Sequence, residues 1–538
     1  MDFSIRLLTL SCLLTLYVGV LFVPSVYAID PSHRFLGSSI SLKSMDTDSN
    51  FTLRSSINQY GITFEFDKNY PTGQFANGDW WVLGPVTITH ISPEFTGASH
   101  GFEIDPQIGN SQGFDHRGDG FNSTLVPSLP ITLDPAATGI NASSVVKAIS
   151  RPASEAAQNQ RCGQNGSDRG CLKTVSVLTV LAKAPEVNSE TLFRPQYVRA
   201  TQGDKFLFST LDLDLSLLPA LPVPTGAPSP DYVVARFNQA RLDHMATIFH
   251  NQYIHPKDYM SSYGTGITRE VGKAAIVLGL DYSIASKRPA AIAYVQHAID
   301  LYGMLLEGQT WEANGGHGSG RKLPILLAGQ LLGDAGMLNI GQAYPASTDT
   351  FAEDGQTFFS TENPPFSEAP NTGCYQPLPA EYGPSYARYG IRHWSYPNQP
   401  HMHGENSICE GSKSNYWSTN ASSWVGEVMA AHIHGLVEAW NHPAFFEHQD
   451  RYVEMNGFFG GHGDSFNNQI WTLYREEFQE PSREACRGDL DGDGRVGQLD
   501  ITFLLSSWGK VDPAADLNES GIVDFGDITE MLKLWGPC

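Results

Sequence analysis

Between about residues 37 and 210, apolar positions recur every second residue. Ile62, Phe64 and Phe66 alternate with polar neighbours, as do Val86, Ile88 and His90, and then Val175, Val177 and Thr179. Period 2 marks strands with one face buried. Turn residues such as Pro71-Thr-Gly73, Asn77-Gly78 and Gly84-Pro85 separate the runs, so residues 29–218 are predicted to form a β-rich sandwich domain. Five prolines between Pro219 and Pro230 then break all periodicity and predict a linker over 219–230. Beyond it the period becomes helical. Leu242, Met245 and Phe249 share one face. Ile292, Val295, Ile299, Tyr302 and Leu306, following Pro289, share another, and Leu323–Leu338 and Val425–Trp440 continue the pattern. Residues 231–480 are therefore expected to be an all-α catalytic domain, either an α/α toroid or a helical bundle, with its chemistry in long loops rich in glycine, proline and aromatic residues.

The last stretch, 486–538, contains one pattern twice. Asp489, Asp491, Asp493, Arg495 and Asp500 occupy positions 1, 3, 5, 7 and 12 of a loop, and Asp516, Asn518, Ser520, Ile522 and Asp527 repeat it 27 residues later, with Asp524 at position 9 of the second copy. Side-chain oxygens at positions 1, 3, 5 and 12, a backbone carbonyl at 7 (here Arg495 and Ile522) and glycine at 6 (Gly494 and Gly521) wrap one hard cation. Each loop runs into a short apolar helix carrying Ile501, Leu504, Leu505 and Trp508, or Ile528, Met531, Leu532 and Trp535. The segment resembles the type I dockerin modules of extracellular bacterial enzymes. The resemblance covers only this last tenth of the chain. It implies two Ca2+ sites, folding coupled to calcium, and docking onto a cohesin-like or other partner protein. The helical domain is more loosely similar to α/α-toroid polysaccharide lyases, an analogy of architecture without a diagnostic motif.

Arg6, the apolar run Leu7–Phe22 and Val26-Tyr27-Ala28 read as a signal peptide over 1–28. No second long apolar run follows, so the mature chain is expected to be secreted, extracellular or at the cell surface, with no membrane span after cleavage. Cys12 falls in the signal. The remaining six, Cys162, Cys171, Cys374, Cys409, Cys486 and Cys538, suit disulfides in an exported protein, most economically between nearest neighbours. A formal charge of −23 excludes a nucleic-acid partner, whose phosphates need cations.

The densest chemical signal is Trp311-Glu312-Ala-Asn314-Gly-Gly-His317-Gly-Ser-Gly-Arg321-Lys322. Glycines around a histidine permit close backbone approach. Arg321 and Lys322 open an apolar helix whose amides favour anions. Trp311, Asn314, Arg321 and Lys322 are thus candidates for binding an acidic substrate, and His317 for moving a proton. The alternative is a tight structural loop in which His317 caps a neighbouring carbonyl. A second cluster holds Tyr382, Arg392, His393, Trp394 and His403, with Tyr382, His393 and His403 as proton-transfer candidates and Arg392 and Trp394 as substrate ligands. If the two converge, they supply the residue types for eliminative cleavage of a uronic-acid polysaccharide. His401, His403 and Glu405 could instead hold a metal. Hydrolysis would need two carboxylates about 5 to 10 Å apart, and no pair stands out. A glycoside hydrolase of the same architecture and a non-catalytic surface or scaffold protein remain the other readings.

Overall fold

The computed structural model describes residues 42–43, 51–155, 162–163, 168–201, 203–359, 387–389, 391–393, 396–401, 415–458, 460–478, 488–490, 495–511, 515–518 and 520–537. The signal peptide, Tyr382, Trp394, His403, Asp491, Asp493, Cys374, Cys409, Cys486 and Cys538 lie outside the described residues.

The β-rich region comprises β1 (Thr52–Gln59), β2 (Ile62–Gln74), β3 (Trp80–Leu83), β4 (Val86–Ser92), β5 (Phe102–Ile104), β6 (Ile131–Leu133), β7 (Ala142–Ser150) and β8 (Leu172–Leu181). Pairing joins them in one curled sheet, where the sequence pattern had led us to expect a sandwich. The order is β5-β7-β8-β3-β2-β4-β6, with β1 also on β2. All pairs are antiparallel except β3 with β8. The long strand β2 bonds β4 near its start and β3 near its end. Register shifts opposite it, at Arg54/Ser56 and at Glu65/Phe66, let it bend.

The two central strands β7 and β8 are apolar on both faces. Val145, Leu178 and Val180 pack with Phe64 and Ile88 inside the curl. Val146, Ala148, Val175 and Val177 point the other way into the core of the helical body. Two of the buried polar residues between them find partners: Ser176 Oγ donates to Gln59 Oε1 at 3.0 Å, and Thr174 Oγ1 to Gln239 Oε1 at 2.9 Å. One apolar core therefore runs from the sheet into the helices.

The helical body contains α1 (Pro230–Phe237), α2 (Ile248–Ile254), α3 (Gly264–Gly279), α4 (Ile284–Leu306), α5 (Lys322–Leu332), α6 (Asn415–Ile433), α7 (Pro443–Asn456) and α8 (Ser465–Tyr474). Three expected helices differ in extent. Leu242 and Met245 are buried in an extended segment that bridges to Gly109, and only Phe249 is helical. The run Leu323–Leu338 is broken by Gly333, which takes a left-handed φ of 64°, and restarts where the Asp334 carboxylate caps Met337 N–H. Gly435, φ 66°, interrupts Val425–Trp440 in the same way. Helices α3 and α6 touch backbone to backbone: a Cβ on Gly272 would lie 2.5 Å from the Gly426 carbonyl carbon.

The proline-rich segment 219–230 is held against these helices. Lys287, fully buried, donates to the carbonyls of Pro219, Leu278 and Leu280, each at 3.0 Å, which also completes the C-terminal end of α3. Tyr474 and Tyr282 donate to the carbonyls of Pro222 and Pro228.

A second latch joins sheet to helices. The buried Arg194 donates to Asp79 Oδ2 at 2.7 Å and, through two nitrogens, to both oxygens of Asp300 on α4 at 3.1 and 2.6 Å. Gln296 bonds both the N–H and the C=O of Arg194. Burial pushes the Asp300 carboxyl up, against the pull of this guanidinium. Removing one partner of a buried ion pair leaves an uncompensated charge. Asp300→Ala is therefore expected to lower stability by about 3–5 kcal/mol in urea unfolding, with near-ultraviolet and helical circular dichroism still changing in one transition. Two separated transitions would show that sheet and helices do not share a cooperative core.

Candidate functional site

The glycines of the His317 loop serve the packing of that loop on the first turn of α3. A Cβ on Gly316 would lie 2.4 Å from Tyr263 Oη, and Thr265 N–H donates to the Gly316 carbonyl at 2.9 Å. Gly315 and Gly320 take left-handed φ values of 53° and 97°.

Arg321 and Lys322, expected to bind substrate, are buried and already paired. Arg321 Nε and Nη2 donate to Asp243 at 2.6 and 3.1 Å, and Nη1 donates to the Ser319 carbonyl at 2.5 Å and that of His317 at 3.4 Å. His255 Nε2 lies 3.1 Å from the same Asp243. The guanidinium holds Asp243 well below the usual carboxylate range in spite of burial. Lys322 donates to Asp354 and, at 2.6 Å, to the Trp440 carbonyl. Trp311 is fully buried and stacked on Phe351, so it offers no platform to a sugar. These three residues therefore build the site's foundation and are corrected from ligands to supports. Asn314, half-buried, stays at the mouth, its carbonyl accepting His317 N–H. Arg392 and His393 lie on a short strand, Ile391–His393, paired with Tyr396–His401.

His317 itself is half-buried. Its ring stacks on Phe249 at 4.5 Å between centroids and meets Tyr263 edge-on at 4.8 Å. Nδ1 is bonded to the buried Gln252 side chain, which leaves Nε2 without a protein partner among the described residues. Burial, with Arg169 and Arg321 nearby, pulls its pKa down to about 4, so the ring is neutral at pH 7; with the Gln252 amide nitrogen donating to Nδ1, the ring's own proton sits on Nε2. Arg169 lies over the other neighbour, Phe249, at 5.0 Å. Tyr263 also meets His462, 5.8 Å away, whose Nδ1 is 2.9 Å from Thr265 Oγ1. Arg169, Phe249, His317, Tyr263 and His462 thus form a continuous row of half-buried side chains.

Arg169, Phe249, Tyr263 and His462 were not among the candidates from sequence. A signal for one of them was present: Gly-Gly-His-Gly occurs twice, at Gly315–Gly318 and Gly460–Gly463, and both histidines reach Tyr263.

A carboxyl pair lies beneath the loop. Glu353 Oε1 accepts Gly320 N–H at 2.5 Å. Burial raises both this carboxyl and that of Glu427, with Asp354 adding to the rise of Glu353 and Glu353 adding to that of Glu427. Both are fully buried, so this pair cannot flank a sugar.

Cys162 and Cys171 form the expected disulfide. Asp115 lies beside it, and a disulfide offers no thiolate to a metal, so this trio makes no convincing site.

In the C-terminal segment, α9 (Gln498–Ser506) and α10 (Phe525–Lys533) are each entered through an aspartate that closes its loop. Asp500 accepts Gly497 N–H at 2.7 Å and Leu490 N–H at 2.6 Å, and Asp527 accepts the N–H groups of Asp524 and Asn518 at 2.7 and 3.0 Å. In the second loop Asp516 accepts Ser520 and Gly521 N–H, Asn518 accepts Ser520 N–H, and Ser520 Oγ donates to the Ile522 carbonyl. Gly521 makes the left-handed turn, φ 90°. Of the first set, Asp489 and Arg495 are described, Arg495 on a short strand paired with Gly536–Pro537. The donor set is all oxygen, as a hard divalent cation requires.

No protein-family model, curated protein or solved structure matches the chain, so its chemistry is read from these residues.

The buried histidines His244 and His434, with pKa values near 4, stay neutral where the unfolded chain would protonate them. They contribute stability above the ordinary imidazole range that is lost as pH falls from 6.5 toward 4. The raised Glu353–Glu427 pair acts oppositely: its contribution is present at low pH and is lost as pH climbs beyond the carboxylate range. Glu427→Gln is therefore expected to flatten the alkaline limb of the melting temperature against pH while leaving the acid limb unchanged. An unaltered alkaline limb would contradict the raised pKa of Glu427.

Proposed function

We propose that this chain is a secreted carbohydrate-active enzyme that cleaves acidic polysaccharide by β-elimination. The observation that carries the reading is the row in which a neutral, partly exposed His317 meets Tyr263 and His462 beside the cation Arg169. Elimination from a uronic acid requires a cation at the carboxylate, a base for the C5 proton and an acid for the departing O4. Arg169 suits the first role and His317 the second, while the Tyr263 hydroxyl suits the third. With the Gln252 amide turned so that its oxygen accepts from Nδ1–H, the Nε2 lone pair takes the C5 proton, the C4–O4 bond breaks as the C4=C5 double bond forms, and Tyr263 protonates O4. An arriving carboxylate would also raise the histidine from its depressed pKa toward neutrality. Hydrolysis is less well supported, because Glu353 and Glu427 form a sealed pair. Tyr382, His393 and His403 remain proton-transfer candidates in the proposal, with Arg392 and Trp394 as further candidate substrate ligands. The finer architecture we propose is toroid-like for the helical body.

His317→Ala is expected to reduce formation of the unsaturated, ultraviolet-absorbing product by about 100- to 10,000-fold on a responsive uronic-acid polysaccharide. Tyr263→Phe should have a similar effect. New reducing ends without the unsaturated product would replace elimination by hydrolysis. Neither signal on a panel of pectic, alginate and glycosaminoglycan substrates would favour the non-catalytic alternative.

The tail is proposed to bind two Ca2+ through Asp489, Asp491, Asp493, the Arg495 carbonyl and Asp500, and through Asp516, Asn518, Ser520, the Ile522 carbonyl, Asp524 and Asp527. It would then dock a cohesin-like protein. Its small core of Val496, Leu504, Leu517, Val523 and Met531 leaves large apolar residues outside, among them Phe503, Trp508, Phe525, Leu532 and Trp535, a composition that suits protein contact. Export follows from the signal peptide in this proposal. No described helix is long and apolar enough to cross a membrane. Chelation with EGTA is expected to abolish the tail's separate unfolding transition while sparing the catalytic body, and Asp516→Ala with Asp527→Ala should mimic it in the second loop. Equal stability with and without calcium would refute the metal assignment.

A further inference from the structure

The chain carries 57 Asp and Glu against 34 Lys and Arg, so acidic partners are plentiful. The buried arginines of the body use them: Arg194 with Asp79 and Asp300, Arg241 with Glu270, and Arg321 with Asp243. Arg269 does not. It stands four residues after Thr265 on α3, on the same helix face, and is half-buried. Among the described residues no carboxylate pairs with it. Burial, and after it the charge of Arg269, lowers the pKa of His462. The nearest acid in the sequence around His462 is Asp464, which is paired with Lys273 at 2.5 Å and caps the N-terminus of α8. Thr265 Oγ1 holds His462 Nδ1, leaving Nε2 without a protein partner among the described residues.

We infer that Arg269 and His462 form a second anion subsite, separated by Tyr263 from the one at Arg169 and His317, so that the cleft reads acidic groups on two residues of a chain. This rests on the reading of the row as a polysaccharide cleft. Partly burying a guanidinium without a counter-charge is unfavourable, and an incoming carboxylate or sulfate would supply that charge along with a bidentate partner. With Thr265 Oγ1 donating to Nδ1, the neutral His462 imidazole carries its proton on Nε2 and adds a second donor. The arrangement predicts selection for contiguous acidic residues over alternating acidic and neutral ones.

The test uses the full chain carrying His317→Ala, so that ligand is not consumed, and isothermal titration with tetramers of galacturonate, mannuronate and a sulfated glycosaminoglycan, each beside its carboxyl-reduced or desulfated counterpart. Arg269→Gln is expected to weaken binding of the best acidic tetramer by at least about tenfold, to make that binding less sensitive to salt, and to leave the neutral counterpart unchanged. Arg269→Lys should restore part of the affinity, which a purely structural role would not do. Unchanged affinity in Arg269→Gln, with the parent binding well, overturns the second subsite and leaves the elimination reading intact. Loss of binding in Arg269→Gln, together with no unsaturated product from the wild type, supports the subsite and removes the elimination. A parent that binds none of the acidic tetramers overturns both.

Discussion

The ion pair between Arg321 and Asp243 is the interaction on which the site depends. Both groups are buried, so each would be strongly unfavourable alone. Together they leave Arg321 with donors to spare, and these grip the carbonyls of Ser319 and His317. Asp243 in turn engages His255, while the Asp243 backbone carbonyl accepts from Gln309. Loop, extended segment and the turn before α3 are thereby fixed to one charge. The position of His317 against Phe249 and Tyr263 follows from that anchoring, since a loop with glycines at 315, 316, 318 and 320 has little conformational preference of its own.

The electrostatics divide into two regimes. Inside the body, cations are matched within hydrogen-bond distance, as at Arg194, Lys322 and Arg321, and histidines are kept neutral by burial. Along the row of half-buried side chains the balance changes sign: Arg169 and Arg269 bring positive charge with no acid beside them among the described residues, in a protein that is acidic as a whole. Those two charges give the row a positive field that would attract an anionic group.

How much of this could be read from the chain alone depended on whether the relevant signal was local. The strands announced themselves through Ile62, Phe64, Phe66 and Val86, Ile88, because alternation is set by each strand's own faces. That β7 and β8 would be covered on both sides was not visible, since the covering helices come from residues far downstream. Leu242 and Met245 carried helical spacing, yet bridging to Gly109 drew them into an extended path. Gly333 and Gly435 were legible as breaks only once the left-handed caps were seen. The motif around His317 stood out as a dense local feature, but residue type did not reveal that Arg321 and Lys322 face inward. Arg169, Tyr263 and His462 are separated by up to about 300 positions, and only the repeated Gly-Gly-His-Gly linked two parts of the row. The tail's loops repeat within one short stretch, so spacing alone exposed them.

The two-faced burial of β7 and β8 bears on how this chain can be recombined. A sheet that shares its apolar interior with neighbouring helices cannot be lifted out and appended elsewhere: excision would expose Val146, Ala148, Val175 and Val177 and strip the helices of their cover. The tail, whose interior is built from its own residues, has no such tie. A segment with its own interior can be exchanged between chains as a unit, whereas the sheet and helices must be inherited as one piece and can diversify only through the loops between them.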